Sequence, residues 1–192
     1  MKGVILNNIT NTKMIVISGS AGHGKDTVAK ILRSNLERRG YSVLICHYAD
    51  VLKAICREFF GWNGEKDEAG RNMLQHVGTD IIRNKSPDFW ADLLTDIILM
   101  LDQWDFVIVP DCRFPNEITR PREKGVDTYH LHVSRPSYNS KLTSAQFNHI
   151  SENAIIDVKP EYTIFNDGNL EELEAKVNVF MEEYLNNSEE KG

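Results

Sequence analysis

The run "MIVIS" at positions 14–18 leads directly into "GSAGHGK" at 19–25, and a helical apolar pattern follows at once. No other stretch restricts the fold as tightly. A short continuous apolar run predicts a strand buried on both faces. Val28, Ile31, Leu32 and Leu36 then recur at helical spacing, and Gly40 predicts the end of that helix. Between the two lies Gly19-x-x-x-x-Gly24-Lys25, the frame of a phosphate-binding loop. A polyphosphate must approach the backbone closely, and its oxygens need several inward N–H donors that a Cβ would obstruct. The helix start adds unpaired N–H groups and the positive end of its dipole, and Lys25 adds a point charge. Ser20, Ala21, Gly22, His23 and Gly24 form the cradle of this reading.

The residue after Lys25 departs from the usual Ser or Thr. It is Asp26, and the hydroxyl arrives one place later at Thr27. A bare carboxylate beside a triphosphate is repulsive, the more so as the site dries. Magnesium between them reverses the sign, because it prefers carboxylate oxygens and retains several waters. Asp26 therefore predicts a metal held directly or through water, with Thr27 on a phosphate nearer the nucleoside. A plain first-turn helix charge is the alternative for Asp26. A Rossmann reading fails on spacing, since Thr27 stands where the third glycine belongs. A GTPase reading lacks N-K-x-D; the nearest string, Asn84-Lys85-Ser86-Pro87, ends in proline.

Strands and helices alternate along the remaining sequence. Strands are expected at 41–49, 105–111, 126–133 and 162–165, and helices at 50–60, 69–85, 88–102, 116–124 and from 170 onward. This order implies an α/β fold with a parallel sheet and right-handed crossovers. Its ligand belongs outside the carboxyl ends of the strands. There the sequence places the glycine loop, Asp50, and Asp111 with Arg113. Residues 1–13 read as a loose arm or edge strand, and 134–149 as a mobile loop without apolar periodicity. His130 and His132 share a strand face, but no third ligand stands at a recognisable spacing, so a half-buried pair is expected.

Composition is that of an ordinary soluble domain: 192 residues, 41% hydrophobic, 26% charged, net charge −6. The acidic balance argues against general attraction to nucleic acid or anionic membrane. Three cysteines without a C-x-x-C pair fit a reduced, cytoplasmic setting. No apolar run approaches the ~20 residues of a membrane span, and no signal-peptide core is evident.

Five strings occur in order: "GKDTVA" (24–29), "AD-LK" at 49–53, "GTD--R" at 78–83 with "DFW" at 88–90, "D-RFPNE" at 111–117, and Ser151-Glu152. Together they resemble the deoxynucleoside monophosphate kinases of bacteriophages, over about residues 14–175. The resemblance implies a three-layer P-loop kinase fold in a single domain. Its core would span about 14–60 and 105–187, with an acceptor-binding helical segment at about 61–102 and a lid at about 134–150. It further implies transfer of the γ-phosphoryl group of ATP to a deoxynucleoside 5′-monophosphate, with Mg2+. Small nucleotides would be its only partners, and the oligomeric state is open between monomer and homodimer.

Such a reaction needs two anions held in line and the developing charge neutralised. Arg113 is expected on the transferring or acceptor phosphate, with a surface ion pair to Glu117 as its alternative. Asp111 would hold a magnesium water or an acceptor-side group, or else cap a helix; Pro110 before it puts direct ligation in doubt. From the resemblance, Asp50 and Lys53 lie beside the acceptor and Arg83 grips its phosphate. Arg83 as a solvated helical arginine, and Asp50 with Lys53 as a plain helix start, are the alternatives. Trp90 is balanced between stacking on the base and core packing. Arg135 is the expected lid arginine, ahead of Lys141. Asn166 and Gly168 follow the last strand, where related kinases place adenine, although a turn and helix cap explain them equally well. Glu152 matches the family without an evident role. Kinases of another small phosphate ester, such as phosphomevalonate or dephospho-coenzyme A, are the rival enzyme reading, and a nucleotide-gated binding module is the non-enzymatic one.

Overall fold

Alternate residues of the first strand, β1 (Lys13–Ser18), enter two different cores. Ile15 and Ile17 pack on one side of the sheet and Met14 and Val16 on the other, all four fully buried. A strand apolar on both faces has to be covered twice, and it is. The computed structural model describes residues 10–138, 154–155 and 158–189. Within them β2 (Val43–Ile45), β3 (Phe106–Val109), β4 (Asp127–Ser134) and β5 (Tyr162–Phe165) complete a sheet of order β2-β3-β1-β4-β5. Every pairing is parallel. Helices α1 (Lys25–Arg38) and α6 (Leu170–Glu189) cover one face through Leu32, Leu36, Val177 and Phe180. Helices α4 (Phe89–Leu101) and α5 (Asn116–Glu123) cover the other through Ile98 and Ile118. The result is the three-layer α/β architecture.

A third apolar cluster joins Leu52, Cys56, Trp62, Val77 and Trp90. It knits α2 (Ala49–Phe60) to α3 (Glu68–Gln75) and to the segment that continues α3 without a break. That continuation, His76–Arg83, is π-helical, so the single amphipathic helix expected over 69–85 changes its winding halfway. Gly61 ends α2 with φ 68, a conformation glycine adopts without penalty.

Two strands are shorter than the apolar runs suggested. β3 stops at Val109 because Pro110 has no N–H for a neighbouring strand. β2 stops at Ile45 because the backbone N–H groups of Tyr48 and Ala49 donate to the carboxylate of Asp111 and α2 begins there. No helix among the described residues is long and apolar enough to cross a membrane.

Candidate active site

β1 and β3 are neighbours in register, Val16 opposite Val109, so the segments leaving them emerge side by side. The glycine loop leaves β1. Gly19 has φ 139, and a Cβ there would stand 2.2 Å from the Val133 carbonyl oxygen. Gly24, at φ 96, caps α1, and a Cβ there would meet Asn166 Nδ2 at 2.5 Å. Neither position admits a side chain. The first intrahelical bond runs from Val28 N–H to Gly24 O at 3.0 Å, which leaves the N–H groups of Lys25, Asp26 and Thr27 for an anion. Lys25 Nζ donates to the loop carbonyls of Gly19 (2.6 Å) and Ser20 (3.0 Å). Burial, with Arg113 nearby, pulls its pKa down to about 8.

Neutral polar groups hold the loop from behind. Asn166 is buried and its Nδ2 donates to His23 O at 2.9 Å. His23 Nδ1 accepts the Arg135 N–H at 3.2 Å, and the Tyr138 ring meets the His23 ring edge-on. Beneath the loop, buried Ser18 Oγ lies 2.7 Å from His130 Nε2 and 2.9 Å from His132 Nδ1. The histidine pair expected on one face is thus bridged by a hydroxyl. No group of three metal-ligating side chains occurs among the described residues. Burial lowers the His130 pKa to about 4.

Across from the loop the pocket wall is cationic. A cavity of about 340 Å³ is lined by Lys25 and Asp26, by Lys53, Lys66 and Arg71, and by Asp111 and Arg113. Its floor includes Glu117, whose carboxylate is 2% exposed as a residue and serves three donors. Arg83 Nη2 donates to Oε1 at 2.6 Å; the backbone N–H groups of Arg113 (2.7 Å) and Phe114 (3.1 Å) donate to Oε2. Burial nevertheless raises the Glu117 pKa to about 7, against the lowering effect of Arg83. Burial also lowers the pKa of Arg113, offset in part by Asp111 and Glu117.

Several expected residues take different parts. Glu117 contacts the Arg113 backbone, so the surface ion pair proposed as an alternative for Arg113 is a buried backbone clasp. Asp111 caps α2: Oδ1 accepts Tyr48 N–H at 2.9 Å and Oδ2 accepts Ala49 N–H at 3.0 Å. Arg83 is no solvated arginine. Its Nη1 donates to Pro87 O (3.2 Å) and Asn116 Oδ1 (3.1 Å), and its guanidinium stacks 3.7 Å from the Phe114 ring centre. Trp90 is a core residue, 4% exposed, with its indole N–H on Gly78 O at 3.0 Å. It borders the pocket as an apolar wall. Lys53 lines the pocket, while Asp50 stands behind it, accepting from Lys53 Nζ at 2.7 Å and from His47 N–H at 3.0 Å. Asn166 acts through its side chain on the loop, and Asn169, not Gly168, caps α6 by accepting Glu172 N–H at 2.9 Å. Thr27 is exposed. Lys141, Glu152 and the lid from 139 to 150 lie outside the described residues.

Three lining residues escaped the sequence reading. His47 lies 3.3 Å from Asp26 and 3.2 Å from Asp50, and its hydrogen bond with Asp26 raises its pKa and lowers that of Asp26. Lys66 and Arg71 flank the far wall, Arg71 Nε donating to Lys66 O at 2.9 Å. No local pattern marks any of them.

The deoxynucleotide monophosphate kinase family model matches residues 47–177, more than half of the sequence. The chain belongs to that family. As a deoxynucleotide monophosphate kinase it is an ATP-dependent phosphotransferase that phosphorylates a deoxynucleoside monophosphate. No curated protein matches it. Among solved structures it resembles the Mycobacterium tuberculosis APS kinase CysC in complex with AMPPNP and APS, at 15% identity and TM-score 0.52, covering 89% of this chain and 98% of that one. Dephospho-CoA kinase from Campylobacter jejuni is similar at 13% identity and TM-score 0.52, covering 90% and 97%. An unliganded sugar kinase from Janibacter sp. HTCC2649 matches at 12% identity and TM-score 0.52, covering 89% and 95%. At such identities these likenesses establish the fold of this deoxynucleotide monophosphate kinase, a P-loop kinase fold.

Proposed function

We propose that the deoxynucleotide monophosphate kinase binds its two substrates on opposite walls of the one pocket, with the donor phosphates on the glycine loop and the acceptor phosphate at Arg113. The observation that carries this reading is the convergence of Lys25, Asp111 and Arg113 on a single cavity. Its volume of about 340 Å³ is on the scale of small-molecule sites. Lys25 leaves its own loop carbonyls for the β/γ-phosphates, and the α1 N–H groups take their oxygens. Arg113 neutralises charge on the transferring group, while Lys66 and Arg71 extend the cationic wall toward the acceptor. An acceptor phosphate is largely ionised near neutral pH, so no strong general base is needed. In-line positioning and charge neutralisation do the work.

The carboxylates present fit a magnesium ion held mainly through water. Asp26 has a side chain 75% exposed beside the phosphate cradle, and Asp111 keeps one lone pair on each oxygen beyond its two backbone bonds. When bound, the ion would supply positive charge that offsets the charge of the donor phosphates. Arg135, tied through its backbone to His23, would close over the donor.

A coupled ADP-release assay across the deoxynucleoside monophosphates tests this reading. Turnover with at least one of them and strict magnesium dependence are expected. Turnover confined to phosphomevalonate or dephospho-coenzyme A would overturn it.

A further inference from the structure

Arg83 sits in the acceptor pocket, yet its hydrogen-bonding capacity points inward. Both Nη atoms are engaged by Pro87 O, Asn116 and Glu117, and its face lies on Phe114. Its side chain is only 11% exposed and that of Glu117 3%. A guanidinium that grips a phosphate presents two adjacent nitrogens. In Arg83 Nη1 donates twice and Nη2 donates once to Glu117, so the one edge left for a phosphate is Nε with the second N–H of Nη2. Only Nε lacks a partner among the described residues, and that atom is buried. Meanwhile the other oxygen of Glu117 accepts the N–H groups of Arg113 and Phe114, the two residues that set where the Arg113 side chain departs. Asn116 ties the same turn to the start of α4 through Pro87 O and Asp88 Oδ1, each at 2.8 Å.

We infer that Arg83 and Glu117 are a charge-compensated positioning pair that fixes the Arg113–Phe114 backbone, and that Arg83 does not itself take the acceptor phosphate. The pair locks the end of the π-helical segment to the turn after β3. It holds the Arg113 guanidinium at the pocket while the two buried charges cancel each other. This assignment rests on the reading of the pocket as the acceptor site.

The test compares wild type, Glu117→Gln, Arg83→Met and the double variant, with a deoxynucleoside monophosphate that wild type phosphorylates. Each single substitution leaves one buried group uncompensated. Each is expected to lower kcat/KM for the acceptor by roughly 10–100-fold, the scale on which supporting-shell partners act. KM for ATP should stay within about twofold. The double variant removes both charges and is expected to recover to within about tenfold of wild type, as buried pairs replaced together often do. A folded double variant as inactive as Arg83→Met would overturn the inference, since it would mean that the guanidinium touches the phosphate. If a single variant fails to fold, the double variant decides by the same criterion. If wild type phosphorylates no deoxynucleoside monophosphate, the acceptor reading fails. The pair is then judged by thermal unfolding of the four proteins, where non-additive shifts support it and additive ones overturn it.

Discussion

The two walls of the pocket are held in opposite ways. The wall proposed for the donor is a backbone loop supported by neutral groups: the Asn166 amide on His23 O, a histidine nitrogen on the Arg135 N–H, and a buried serine between two imidazoles. The wall proposed for the acceptor is built from charged side chains, with a buried carboxylate clasping an arginine and two N–H groups. A loop that receives a polyanion must keep its own N–H donors uncommitted, so its supports cannot compete for them. A wall that presents several cations must offset their repulsion, and Glu117 does so. Neutral support on one side and charge compensation on the other follow from what each wall has to receive.

The sharpest way to break this division is through the two cations that face each other. Lys25→Ala should abolish turnover, by at least ~10³-fold, the upper range for loss of one preorganised charge stabiliser. Stopped-flow or steady-state assays would read it, and surviving activity would remove the donor wall from the chemistry. Arg113→Ala should cost roughly 10³-fold in kcat, comparable to loss of other charge-neutralising arginines. If that variant weakened ATP and spared the acceptor, the walls would be assigned the wrong way round.

A smaller effect isolates the neutral support. Asn166→Ala loses the bond to His23 O, worth about 1 kcal/mol. It should raise KM for ATP several-fold and leave the acceptor KM unchanged, as separate titrations of each substrate would establish.

The smallest expected effect is on stability against pH, and it takes opposite signs on the two walls. His130 is held neutral, with its pKa lowered from 6.5 to about 4. Its contribution is complete above pH 6.5 and fades as pH falls toward 4. Glu117 is raised from 4.5 to about 7, so its contribution is complete below 4.5 and is lost as pH rises through 7. Melting temperatures between pH 4.5 and 8 should therefore tilt toward acid in His130→Gln and toward base in Glu117→Gln. Parallel profiles for both variants and wild type would mean that neither group is titrating as its surroundings dictate.

The same division explains what the sequence disclosed. The donor wall is contiguous: strand, glycines and helix follow within residues 13–38, and each step has a local cause in burial, φ or N–H supply. The parallel sheet follows from the alternation of strands and helices, whereas its order, β2-β3-β1-β4-β5, does not. The acceptor wall draws on α2, α3, the π-helical segment and the turn after β3, whose pairings span large separations. Arg83 meets Glu117 across 34 residues, and Tyr48 meets Asp111 across 63. Apolar periodicity carries no information about such meetings. It also cannot tell α from π winding, since Met73, Val77 and Ile81 keep one face apolar in either. Asp111 shows the limit most clearly. Its position past β3 was legible, but its capture by the Tyr48 and Ala49 N–H groups depends on β2 lying beside β3.

The wide turns between His76 and Arg83 carry a consequence for how this wall can vary. Gly78 lies inside them, where an added Cβ would stand 2.5 Å from Leu52, and its carbonyl receives the Trp90 indole. A change of length within those eight residues would rotate everything downstream about the helix axis and swing Arg83 off its carboxylate. Apart from Gly78, the number of residues rather than their type is what this stretch must keep: it should accept many exchanges of its outward side chains and no single-residue insertion or deletion.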